Sequence, residues 1–188
     1  MSETLEDRFA GLSPAKRALV EQLRRAKDAE TDAIPRRHGS GPAPLSFSQE
    51  LLWRIEQNAP GLSTYNVPRA MRIAGRLDVR RLQRALDVLV ERHEVLRTAF
   101  ELHDGAPVAI VRAARSVELR SVDLRSVDER AREDALHRTL RDAAAEPFDL
   151  AGAALLRAVL VRLGDDESAL LLVWHHLASD ETAAGVLL

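Results

Sequence analysis

The chain contains no cysteine. This rules out disulfides, thiolate metal sites and a cysteine nucleophile, and it suits a reducing compartment. Long apolar runs are also missing: the longest, Ala169 to Trp174, is too short to cross a bilayer. The N-terminus, MSETLEDRFAG, is acidic and has no apolar stretch of its own. The expectation is therefore a cytoplasmic protein, neither exported nor membrane-anchored. Charge of one sign is lacking too. With 27 basic and 29 acidic residues the net charge is −2, and no overall field draws the chain to nucleic acid or anionic lipid. No internal repeat is visible. What remains is a chain of 188 residues, 46% hydrophobic and 30% charged, a balance that fits one globular unit with an appendage.

Ser13 and Pro14 read as an N-cap and first helical position, and Ala15, Ala18, Leu19 and Leu23 follow at helical spacing. A short amphipathic helix is expected within residues 1–25. Residues 26–43 have few large apolar side chains, mixed charge and a Gly/Pro cluster, and read as a linker. From residue 44 to 188, strand and helix signals alternate densely. Asp78 caps an expected helix over residues 79–93, with Leu82, Leu86, Leu89 and Val90 as its buried stripe. Strands are expected over 96–103 and 108–112, joined as a hairpin through Asp104-Gly105.

Ser126 and Glu129 have the spacing of a capping box, and Val127, Ala131, Ala135, Leu136 and Leu140 form one helical face after it. Two apolar strands, 155–163 and 168–176, flank Gly164-Asp165-Asp166-Glu167. The second is apolar at every position through Trp174, which predicts a central strand covered on both faces. The expected fold class is α/β (α+β), a mixed sheet with helices packed on it.

The stretch Trp174-His175-His176-Leu177-Ala178-Ser179-Asp180 places two imidazoles at the end of that strand and a carboxylate just beyond. Adjacent strand residues face opposite ways, so one histidine is expected to do the chemistry and the other to support it. A histidine titrating near neutrality can take a proton from an amine or hydroxyl as it attacks a carbonyl, which makes acyl transfer the natural reaction class. No third metal ligand stands at a recognisable spacing. A second cluster, Arg92-His93-Glu94-Val95-Leu96-Arg97-Thr98-Ala99-Phe100, carries two arginines able to offset a buried Asp180.

Taken in order, Pro44 to Trp53, Arg92 to Phe100, Glu146-Pro147-Phe148-Asp149-Leu150 and His175 to Asp180 resemble the motifs of the condensation domains of nonribosomal peptide synthetases. The last is similar to that family's HHxxxDG motif. The resemblance implies one lobe, over residues 44–188, of a chloramphenicol acetyltransferase-like fold, an incomplete domain with no turnover expected from it alone. It implies that His176 assists the acceptor amine in attacking the donor thioester and that His175 is structural. Asp180 would be salt-bridged to Arg92, with Arg97 as the other candidate. Substrates would arrive on the phosphopantetheine arms of carrier proteins, with neighbouring synthetase domains as further partners and no metal or directly bound cofactor. Glu181 stands where the motif has glycine, and a bulky anion there would narrow the channel. The competing expectation is a catalytically silent docking module, in which the 1–25 helix and its linker recruit a carrier protein or an upstream part of a synthetase.

Overall fold

The computed structural model describes residues 41–179 continuously, together with Ser13, Pro14, Lys16, Ala18, Leu19, Glu21, Gln22 and Gly185. The chain divides into two units, Met1–Gly39 and Ser40–Leu188. In the first, Pro14, Lys16, Ala18, Leu19, Glu21 and Gln22 are helical, inside the stretch where the Ser13-Pro14 start calls for a helix. Ala15, Leu23 and residues 26–40 lie outside the described residues.

The second unit runs β1 (Ala43–Pro44), α1 (Phe47–Asn58), β2 (Asn66–Ala74), α2 (Val79–Arg92), a 3-10 turn (Glu94–Arg97), β3 (Thr98–His103) and β4 (Ala106–Val111). It continues with β5 (Leu119–Asp123), α3 (Glu129–Ala145), β6 (Leu156–Arg162), β7 (Glu167–His175) and a second 3-10 turn (His176–Ala178). Ala43, placed by sequence at the end of the linker, already pairs with Ala109.

Local chemistry accounts for most of these boundaries. Ser46 and Gln49 cap α1 reciprocally, each side chain taking the other's backbone N–H at 3.2 and 3.0 Å. Asp78 accepts the N–H groups of Arg80 and Arg81 at the start of α2. Asp104 and Gly105 take positive φ values, 51° and 80°, the pair that a two-residue hairpin of matching twist requires.

Two sheets form, ordered β1-β4-β3 and β2-β7-β6-β5. The second is mixed: β5 and β6 are parallel, joined by the crossover helix α3, while β6-β7 and β7-β2 are antiparallel. Alternation along β7 divides the core in two. Leu170, Leu172 and Trp174 join Trp53, Leu86, Val90, Leu96 and Phe100 on one face. Ala169, Leu171 and Val173 join Leu136 and Ala143 of α3 on the other. An uninterrupted apolar strand is the sequence such a doubly covered position demands.

Two expectations are corrected here. Leu96 and Arg97 do not open a strand; they belong to the 3-10 turn, closed by Leu96 N–H to His93 O at 3.0 Å and by Thr98 Oγ1 to Glu94 O at 2.8 Å. Ser126 does not cap α3. Asp128 does, accepting the Arg130 N–H at 3.0 Å, and the helix begins two residues later than the Ser126-Glu129 spacing implies. Strands β2 and β5 have no expectation from sequence; in β2, Val67, Met71 and Ile73 share the face that packs on the core. β2 (NVPRAMRIA) is an edge strand paired only with β7, where an internal proline is tolerated.

Candidate active site at the end of the central strand

Regular pairing of β7 stops at His175, and the 3-10 turn that follows rotates the two histidines apart. His175 is 1% exposed, whereas His176 is exposed. Each ring is held by a different set of bonds. The His175 Nδ1 accepts the Leu177 N–H at 3.2 Å, and its Nε2 lies 3.5 Å from Oε1 of Glu56, itself buried in α1. Tyr65 and Phe148 stand edge-on to the ring, with centroids 6.3 and 5.9 Å away.

His176 donates its backbone N–H to Tyr65 O at 2.8 Å, and its Nδ1 lies 2.6 Å from Ser179 O. A carbonyl can only accept, so that bond places a proton on Nδ1. In the neutral ring of this exposed residue Nε2 then carries the free lone pair. The arrangement offers a base at the protein surface on a ring that cannot swivel without breaking its bond to Ser179.

Burial, with a smaller contribution from adjacent His176, lowers the His175 pKa from its ordinary 6.5 to about 4; burial raises that of Glu56. The His175–Glu56 contact is thus one made by a neutral imidazole rather than an ion pair. Because the folded state holds His175 uncharged, it binds fewer protons than the unfolded chain between pH 6.5 and 4. Stability from this residue is complete above that window and is lost as pH falls through it, by at most about 3 kcal/mol. Glu56 works in the opposite sense above its ordinary value and offsets part of this loss. The expected result is that His175→Gln flattens the stability profile between pH 6.5 and about 4 in denaturant titrations. A variant as acid-sensitive as the parent would contradict the assignment.

The Glu146-Pro147-Phe148-Asp149-Leu150 segment supports this end of the sheet. Glu146 takes a bidentate pair from Arg120 at 2.7 and 2.8 Å. Arg157 donates to Pro147 O at 2.9 Å and lies 3.9 Å over the Phe148 ring. Leu150 O accepts the Phe100 N–H at 2.9 Å, linking the segment to β3. A cavity of about 300 Å³ bordered by Phe148, Arg157, Leu96 and Val90 lies on this side, and His176 is not part of its lining.

Arg92 is exposed at the end of α2 and makes no ion pair among the described residues. Arg97 has a largely buried side chain, donates to Arg112 O at 2.6 Å and comes within 3.5 Å of the Glu94 carboxylate. Asp180 and Glu181 fall outside the described residues, and so does any pairing of Asp180 with either arginine. Sequence reasoning missed Glu56, Tyr65 and the contact of Phe148 with His175. One signal was present for Glu56: it is an acid three residues beyond Trp53, on the buried side of α1.

A mixed sheet whose buried central strand ends in a histidine turn is the framework of the chloramphenicol acetyltransferase-like fold, and comparison with known proteins agrees. The Condensation domain model matches residues 40–188. Phosphinothricin tripeptide synthetase PhsC of Streptomyces viridochromogenes is 40% identical over 98% of this chain, which covers 17% of that protein. Cyclosporin synthetase simA of Tolypocladium inflatum is 42% identical over 85% of this chain and 1% of its own length. Among solved structures, the first condensation domain of the calcium-dependent antibiotic synthetase, in complex with a substrate analogue, superposes with a TM-score of 0.69 at 26% identity. That match covers 79% of this chain and 35% of the solved one. The chain belongs to the condensation domain family of nonribosomal peptide synthetases. Among the described residues, no helix is long and apolar enough to cross a membrane.

Proposed function

We propose that the chain contributes the histidine-bearing lobe of a domain that joins two carrier-bound substrates through an amide bond. The observation that carries this reading is the exposed His176 ring, whose Nδ1 bond to Ser179 O leaves Nε2 free. In the reaction, the acceptor amine attacks the carbonyl of the donor thioester, a C–N bond forms and the C–S bond breaks. His176 Nε2 takes the proton the amine sheds and can return it to the departing thiolate. His175 supports the turn from beneath, and Asp180 acts with Arg92 or Arg97 as a structural pair. The donor is an aminoacyl or peptidyl thioester and the acceptor an aminoacyl thioester, both on phosphopantetheine arms of carrier proteins, with neighbouring synthetase domains as the wider partners. No further cofactor takes part.

The second reading, a docking module without turnover, draws on Glu181, which replaces the glycine of the HHxxxDG pattern with an anion. Joining the chain to the remainder of the fold and supplying two loaded carrier proteins separates the two. Peptide on the acceptor arm supports condensation, whereas carrier binding without transfer supports docking.

A further inference from the structure

Helix α1 turns three side chains inward at spacings of four and three residues, Gln49, Trp53 and Glu56, and each ends on a polar group of another segment. Gln49 Nε2 donates to Leu177 O at 3.4 Å. Trp53 Nε1 donates to Phe100 O at 3.3 Å. Glu56 Oε1 faces His175 Nε2 at 3.5 Å. Glu56 is 7% exposed, and a carboxylate so placed is costly unless it has a partner. An aliphatic residue would serve the packing of α1 better.

We infer that Glu56 is a positioning residue: it holds the His175 ring in the Nε2–H form and, through that ring, the turn that presents His176. The bonds follow one another without a gap. Nδ1 of His175 accepts the Leu177 N–H and so carries no proton. The neutral ring must then bear its proton on Nε2, which points at Glu56. Leu177 directly follows His176. Its N–H is fixed through His175 and Glu56, and its carbonyl is fixed by Gln49, so α1 grips the turn on both sides. Without an acceptor at position 56 the Nε2–H is left buried and unpaired, and the ring's preference, then held by the Leu177 N–H alone, is weakened. The other tautomer would set Nδ1–H against the Leu177 N–H, two donors face to face, and the turn would have to move. Burial of His175, which keeps the ring uncharged, favours this arrangement.

Only the kinetic part of the test rests on the proposed condensation activity. With ¹⁵N-labelled histidine in this chain at neutral pH, NMR should show His175 protonated at Nε2 alone and His176 protonated at Nδ1. Glu56→Gln, which retains an acceptor oxygen, should preserve both patterns. Glu56→Leu should mix the tautomers of both rings. In a complete domain, Glu56→Leu should lower kcat roughly 100-fold with KM for the acceptor carrier unchanged, the scale of loss expected when a reacting group shifts by about 1 Å. Glu56→Gln should restore kcat to within about threefold, because the neutral hydrogen bond survives.

A wild-type His175 protonated at Nδ1 would overturn the inference with no variant needed, even if the leucine variant did not fold. It would equally be overturned if Glu56→Leu lost activity while both tautomers stayed as in the parent, since Glu56 would then be a packing residue. Tautomers that respond as expected in a protein that transfers nothing would reject the condensation reading and leave the role of Glu56 standing.

Discussion

Substituting alanine for His176 is expected to reduce amide formation by about 10²- to 10⁴-fold, the usual contribution of a positioned proton acceptor. The ring is exposed, and the bond it makes is to Ser179 O within its own turn. Its removal should therefore leave the thermal midpoint within about 2 °C of the parent, as surface substitutions generally do. The combination matters more than either part. A loss of product with an unchanged fold places His176 in the chemistry, whereas a loss accompanied by unfolding makes it a structural residue. In a complete domain, transfer between two loaded carriers, followed by mass spectrometry of the acceptor arm, supplies the first quantity and calorimetry the second. Unchanged product formation would remove proton transfer by His176 from the account.

The largest effect on stability is expected one residue before the histidines. Trp174 is 0% exposed and joins Trp53, Phe100, Leu156 and Leu177 in the core on the α1 and α2 side of the sheet. Its backbone also registers β7 between Val67 of β2 and Leu156 of β6. Trp174→Ala should cost about 3–5 kcal/mol through lost contacts and the cavity left behind. That is a large share of the roughly 5–15 kcal/mol that holds most domains folded. The indole Nε1 has no hydrogen-bond partner among the described residues, so Trp174→Phe should recover most of the loss. Urea titration of the three proteins tests this. A cost below about 1 kcal/mol for the alanine variant would show that the site collapses around the deletion.

Features with a local cause were legible in the sequence. The Asp104-Gly105 hairpin, the Asp78 cap with its Leu82, Leu86, Leu89 and Val90 stripe, and the uninterrupted apolar run of β7 are written in neighbouring residues, and each stands where expected. Features set by distant partners were not legible. Strand β2 carries Pro68, Arg69 and Arg72 among its apolar residues, has no expectation from sequence, and is defined by its pairing with the distant β7. Leu96 is 1% exposed and its hydrophobicity is served equally by a strand or a 3-10 turn; only the bonds of Thr98 and His93 decide between them. At α3 Asp128, immediately before the helix, takes the cap that the Ser126-Glu129 spacing assigns to Ser126.

The histidine turn shows the same division. Strand alternation predicts one imidazole inward and its neighbour outward, and the exposures of His175 and His176 have this pattern. His176, however, stands in the 3-10 turn and not in the strand, so the turn sets its direction. The partner that buries His175 was hidden, because Glu56 lies 119 residues earlier in the chain. Sequence patterns reveal which residues carry chemistry more readily than which residues aim them.

Ethoxycarbonylation by diethyl pyrocarbonate, followed by peptide mapping, tests the central claim most directly, because the reagent requires an accessible ring nitrogen with a free lone pair. Modification of His176 at neutral pH, with His175 untouched in the folded protein and, in a complete domain, peptide transfer falling in step with the fraction modified at His176, is the predicted result. A His176 that resists the reagent, or a His175 that reacts as fast as its neighbour, would contradict it.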